Sequence, residues 1–199
     1  MKEKSYLFKA SIIFIILLLI SYYIHISFFS VNVVFYASIF DAMIATLLGL
    51  AILAFLPLFM VFNRFEKLQL AFIWLLAGYI FAISIPTVID RSLSFYILEK
   101  LQQRNSGLRL EKFEDVFTKE YLNEHHLVEV RLTEQKESGI ILIENNCVKL
   151  TQKGNKIASL SRFFRQNFLP KKRLLLDKYS DDLTDPFRYS NKDVDYLCN

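Results

Sequence analysis

Val130-Arg131-Leu132-Thr133-Glu134-Gln135-Lys136-Glu137-Ser138-Gly139-Ile140-Ile141, followed by Val148-Lys149-Leu150-Thr151-Gln152-Lys153-Gly154, decides the fold of the C-terminal half. The first stretch closes a helix predicted over about 127–138, because Gly139 supplies the left-handed residue that ends a helix. Two short strands are predicted next, over 140–143 and 147–150. Glu144-Asn145-Asn146 joins them, and Asn tolerates the positive φ of a tight hairpin turn. A further helix is predicted from about Thr151 to Phe168, with Ile157, Leu160, Phe164 and Phe168 as its apolar face. Pro170 stops it.

Two more helices precede this stretch. One starts near Ile89-Asp90-Arg91-Ser92, where Asp90 or Ser92 can cap it, and Asn105-Ser106-Gly107 ends it. Its apolar set is Leu93, Ile97, Leu98 and Leu101. The other runs from about Leu110 to Leu122, with Phe113, Val116, Phe117 and Tyr121 as its stripe, and His125 and His126 follow in a turn. The order helix, helix, helix, hairpin, helix resembles the winged helix-turn-helix family over about residues 90–168. The marks are Arg-Leu-x-x-Gln-x-x-x-Gly-x-Ile at 131–141 and Leu-Thr-x-Lys-Gly at 150–154. The resemblance implies that the third helix, carrying Arg131, Glu134 and Lys136, is the recognition helix and that the hairpin is the wing.

The first 89 residues belong to a different solvent. The chain of 199 residues is 53% hydrophobic, and the excess lies in three runs at about 10–29, 37–62 and 68–89. A spanning helix needs roughly 20 apolar residues, and lipid forces backbone groups to pair internally. The first run is too long for a signal-peptide core and lacks a small-x-small cleavage site, so it reads as an uncleaved anchor. His25 and Asp41 sit near the ends of their runs, and an interfacial placement is expected for both. The fold class is thus mainly α: three transmembrane helices (1–89), a winged-helix α+β domain with a two-stranded wing (90–168), and an irregular tail (169–199).

Orientation is contested within the sequence. Residues 1–89 hold five cations against three acids, half of the total charge of +4. Lys2, Lys4, Lys9, Arg64 and Lys67 flank the N-terminus and the second loop, whereas the first loop has no cation. The positive-inside rule then puts the N-terminus in the cytoplasm and, after three spans, the C-terminal domain outside. Winged helices are usually cytoplasmic, and Gly78 and Pro86 allow a re-entrant third segment. The expectation adopted is a cytoplasmic domain on an inner (plasma) membrane, with Cys147 and Cys198 as free thiols.

The charge on the winged-helix surfaces argues against DNA. A DNA reader needs cations at the phosphates. The recognition helix sets Arg131 and Lys136 against Glu129, Glu134 and Glu137, and the wing tip carries Glu144 without a cation. Arg131 is expected to pack or pair locally.

Cations collect later, at Arg162, Arg165, Lys171, Lys172 and Arg173, among Phe and Leu and without an acid over 159–176. Such a mixture suits an anionic headgroup surface or, alternatively, a solvated helix face. The tail from Asp177 is acidic, and disorder or a docking peptide is expected there. Asp90, Arg91, Ser92 and Ser94 form the most site-like cluster, read either as a lipid-phosphate contact or as a helix cap with an Arg–Asp pair. The cluster resembles an Asp-Arg-Ser-x-Ser element of uncharacterised bacterial membrane proteins.

No catalytic, cofactor-binding or metal-binding set stands out in the sequence. The expected function is that of a non-enzymatic membrane adaptor or regulatory subunit with a protein partner, leaving homo-oligomerisation open. The alternatives are a membrane-bound transcriptional regulator and an accessory of a lipid-linked glycan or envelope polysaccharide system.

Overall fold

The computed structural model describes residues 2–104, 107–188, 190 and 198. The chain forms two compact units, Met1–His125 and His126–Asn199. The first opens with α1 (Lys2–Phe28), α2 (Val34–Phe55) and α3 (Arg64–Ser84), followed by α4 (Pro86–Arg91). Three segments, Ser5–Phe28, Val34–Phe55 and Arg64–Arg91, are long and apolar enough to cross a membrane.

Three boundaries differ from the expected ones, and proline accounts for two of them. The second run was expected to reach residue 62. Its helix stops at Phe55, because Leu56 precedes Pro57 and is pushed out of the helical region to φ −81°, ψ 123°. Pro57–Phe59 then makes a 3-10 turn that buries Phe59. The third span starts earlier than expected, at a capping box. Asn63 accepts from the Glu66 backbone N–H at 2.9 Å, and Glu66 accepts from the Asn63 N–H at 2.8 Å. It breaks at Ile85, where Pro86 opens α4.

The spans pack through small residues. The buried face of α2 is Ser38, Asp41, Ala42, Ala45, Thr46, Gly49 and Leu53, spaced by threes and fours. Without a hydrophobic drive between helices in lipid, close backbone approach does the work. A Cβ on Gly49 would lie 2.7 Å from the Trp74 ring. Trp74 in turn stacks on Phe14, with ring centroids 5.2 Å apart. Ser38 and Thr46 donate to the carbonyls of Val34 and Ala42, each at 2.8 Å, so their hydroxyls are satisfied within their own helix.

Helix α5 (Leu93–Gln103) follows, capped by the Ser92 hydroxyl, which accepts from the Phe95 N–H at 3.4 Å. The expected stop at Asn105-Ser106 lies outside the described residues. The next helix is a continuous rod built from a 3-10 turn (Leu110–Lys112), α6 (Phe113–Asp115), a π-helical segment (Val116–Tyr121) and α7 (Leu122–Glu124). Its stripe holds, with Val116 and Tyr121 buried. The inward face of α5 differs from the expected one. Tyr96 and Lys100 are buried, while Leu93 and Leu98 are exposed. A polar network, described below, draws that face in.

The second unit begins at His126, in the left-handed region at φ 44°, and continues as α8 (Leu127–Glu137). Gly139 closes α8 at φ 64°. Strands β1 (Ile141–Glu144) and β2 (Cys147–Leu150) pair antiparallel, with Glu144 opposite Cys147. This leaves the two-residue turn Asn145-Asn146, at φ 50° and 60°, as a type I′ turn demands.

Helix α9 (Gln152–Phe168) follows. Thr151 caps it by accepting from the Gly154 N–H at 3.0 Å, and its hydroxyl lies 2.8 Å from the Gly139 carbonyl and 3.0 Å from that of Ile140. Lys153 Nζ donates to the Ser138 carbonyl at 2.7 Å, just past the end of α8. Gly154 is buried against the Ile140 carbonyl, and a Cβ there would collide with it.

Two expectations fail in this unit. The apolar face of α9 is not buried: Ile157, Leu160, Phe164 and Phe168 are between 43% and 65% exposed. The tail is also not wholly irregular. Strands β3 (Arg173–Leu175) and β4 (Lys178–Ser180) form a second hairpin, and Asp182–Thr184 a 3-10 turn. Arg188 neutralises the acidic turn, with NH2 3.1 Å from Asp181 and 3.0 Å from Asp182.

Candidate functional site

The polar groups inside the spans gather at one pair. A helical hairpin turning near residues 29–33 brings the end of α1 beside the start of α2, and there His25 Nδ1 lies 2.8 Å from Asp41 Oδ1. Asp41 is 1% exposed, so it faces the bundle. Pairing is what makes a buried carboxylate tolerable in lipid. Its second oxygen, Oδ2, is buried without a hydrogen-bond partner among the described residues. A cleft of about 260 Å³ lies against the pair, walled by Ser21, Ile24, Phe29, Phe40 and Ile44. A lone acid and a lone His on consecutive arms of one hairpin were the available sequence signal.

The Asp90–Ser94 cluster takes its ordinary form. Arg91 Nε is 3.9 Å from Asp90, Ser92 caps α5, and Ser94 is exposed in its first turn. These groups sit where the third candidate span ends, at Arg91.

A stronger cluster lies between α5 and the rod, and sequence reasoning missed it. Lys100 is only 6% exposed, with Nζ 2.6 Å from Glu120 and 2.8 Å from Glu124. The Tyr96 hydroxyl donates to Glu124 at 3.0 Å, and the Tyr96 and Tyr121 rings sit 4.5 Å apart. Hydrogen bonds donated to Glu120 and Glu124 hold the Lys100 ammonium's pKa above its ordinary value, against the pull of burial. Lys100 and Tyr96 together depress the Glu124 carboxyl. Burial, then the Glu124 contact, raises the Tyr96 phenol. A lysine held protonated this way is a strut, since a nucleophilic lysine must be neutral.

On the proposed recognition helix, Arg131 reaches forward along α8 to Glu134 at 2.7 Å, and Glu134 is buried. Local pairing of Arg131 is thus present, while Lys136 is exposed. The basic residues separate into two groups. Arg162 and Arg165 line a groove of about 550 Å³ between α9 and tail residues Thr184–Phe187, and Arg162 NH2 is 3.9 Å from Asp185. Lys171, Lys172 and Arg173 are exposed beside and within β3.

The tail is anchored twice. Thr184 Oγ1 donates to the Lys171 carbonyl at 2.9 Å. Cys198 forms a disulfide with Cys147, the first residue of β2, with Cα atoms 6.0 Å apart, inside the range a disulfide spans. The expectation of two free thiols is overturned. Spacing could not show this, because two cysteines 51 residues apart meet only through the tertiary fold. Tyr189, Lys192, Asp193 and Asp195 lie outside the described residues.

Among the described residues, no group of three or more His, Cys, Asp or Glu side chains is placed to hold a metal ion. No family model, curated protein or solved structure matches the chain.

Proposed function

We propose that this chain is a non-enzymatic adaptor of a membrane assembly, with its spans among partner helices and its second unit docked on a protein partner outside the cytoplasm. One observation carries the adaptor reading. The tail runs beside one face of α9, where Asn155, Ala158, Ser159, Arg162 and Arg165 line the groove between them. Ile157, Leu160, Phe164 and Phe168 recur at helical spacing on the opposite face and stay bare. A contiguous apolar stripe of this kind marks an interaction surface. The helix–hairpin–helix arrangement is compatible with a winged helix used for protein contact, and acidic α8 with its cation-free wing tip suits such a contact better than a phosphate backbone.

Two independent observations support this compartment. The cations flanking the N-terminus and second loop favour a C-terminal unit across the membrane. A structural disulfide favours an oxidising compartment. The proposal therefore replaces the expectation of a cytoplasmic domain and favours an assembly of the cell envelope.

The test is a photocrosslinking residue placed at Leu160 in the full chain in cells, with Asn155 as the control. A single discrete adduct at Leu160, absent at Asn155 and lost with Phe164→Asp, is expected. An adduct only at twice the chain's own mass would replace the adaptor with a homodimer, and no adduct at Leu160 would overturn docking through α9.

A further inference from the structure

The second hairpin presents leucine where a turn ordinarily presents glycine or asparagine. Leu175 pairs with Lys178, so Leu176-Asp177 is the whole turn. Leu176 takes a left-handed φ of 54° and is 75% exposed. That conformation is unfavourable for a residue with a large side chain, and Asn and Gly are its usual occupants. Register places Leu174 opposite Tyr179 on one face of the ribbon. Both side chains are exposed. A lone two-stranded hairpin is marginal in water, so one with an apolar tip needs a second surface.

Charge identifies the surface. Lys171, Lys172, Arg173 and Lys178 collar the tip, against Asp177 as the one acid between 171 and 178. We propose that β3–β4 is a finger that docks on an anionic phospholipid surface. Leu174, Leu176 and Tyr179 enter the interface, and the four cations lie among the lipid phosphates. Apolar residues ringed by Lys and Arg suit that boundary, where Tyr also concentrates. The chain's own spans keep this unit beside a bilayer, so the surface is always at hand. Arg162 and Arg165 are not part of the finger, because they face the tail groove. The proposal does not depend on which side of the membrane the unit occupies.

The full chain in nanodiscs tests it, by hydrogen exchange of the 171–180 backbone. One set of discs is phosphatidylcholine alone, the other an equimolar mixture with phosphatidylglycerol, and both faces carry the same lipid. Exchange is expected to slow several-fold in the anionic discs and to recover in high salt. Since each cation near an anionic leaflet is worth a factor of about five, K171E/K172E/R173E abolishes the slowing, and Leu176→Asp reduces it. Protection of 141–150 in the same spectra reports whether a variant still folds. Equal exchange of the native chain in the two lipids overturns the proposal without any variant. So does protection that requires two copies per disc regardless of lipid charge, which would assign the finger to a dimer contact.

Discussion

Thr151, Lys153 and Gly154 each close a different gap between the first hairpin and α9. Thr151 satisfies an N-terminal amide of α9, Lys153 a carbonyl past the end of α8, and Gly154 removes the Cβ that would hit the Ile140 carbonyl. Gly154→Ala sets two effects against each other. Alanine gains about 1 kcal/mol of helix propensity. Pressing a methyl into a rigid backbone contact costs about 1–3 kcal/mol, and a carbonyl cannot rotate away as a side-chain tip does. The added methyl would lie well inside contact distance of the carbonyl, which puts the cost at the upper end, so the variant is expected to be less stable by about 2 kcal/mol. Denaturant-dependent protection of the 141–150 backbone measures it, and an unchanged or raised value would remove the steric account. These residues were legible in sequence because their constraints are local. The same holds for the Asn145-Asn146 turn and Gly139. Asp41 was not legible, since its neighbour His25 lies on another helix and burial is a property of the bundle.

Helical elements show the same division. Proline sets where α2 ends and where α4 begins, a rule of the peptide bond that the chain displays openly. The face that α5 buries is decided by Lys100, Glu120, Glu124 and Tyr96, which come together only when the rod packs against α5. Hydropathy therefore pointed to Leu93 and Leu98, and the ion network overrode it. This network gives the junction a pH dependence with a definite sign. Glu124 is depressed in the folded chain. Its contribution is fully present above its unfolded value near about 4.3 and is lost as pH falls through the folded one. Lys100 is raised. Its contribution is present below about 10.4 and is lost only as pH rises through the higher folded value. The α5–rod contact should thus hold steady across neutral pH and loosen in acid, below about pH 4. Hydrogen exchange over Leu93–Gln103, corrected for intrinsic rate, should accelerate there. Lys100→Met should move the onset upward in pH, as Glu124 returns towards the ordinary carboxylate range. An onset unmoved by that substitution would show that the network does not hold the junction.

At the scale of the whole molecule, two features far apart in sequence bear on one question. The cations near the N-terminus and in the second loop concern how the spans insert. The Cys147–Cys198 link concerns where the far end of the chain resides. Both support the proposed placement in an oxidising compartment, although neither depends on the other. The link joins residues 51 apart, and in the loop-entropy account closing so long a segment is worth about 4 kcal/mol. That stabilisation matters in a unit whose described residues bury few large apolar side chains. In a reducing compartment the tail would lose this anchor to β2, while the Arg162–Asp185 pair and the Thr184–Lys171 hydrogen bond would remain. The full chain in cells should therefore resist thiol alkylation until a reductant is added. A C-terminal alkaline phosphatase fusion should be active, and the matching green fluorescent protein fusion dark. Cys147→Ser should lower the stability of the second unit by about 2–4 kcal/mol and leave Cys198 open to alkylation. Immediate alkylation of both thiols in the native chain, with a fluorescent fusion, would instead place the unit in the cytoplasm. The positive-inside count would then have failed, and the third segment, broken at Ile85 and Pro86, would be the place where the chain turns back.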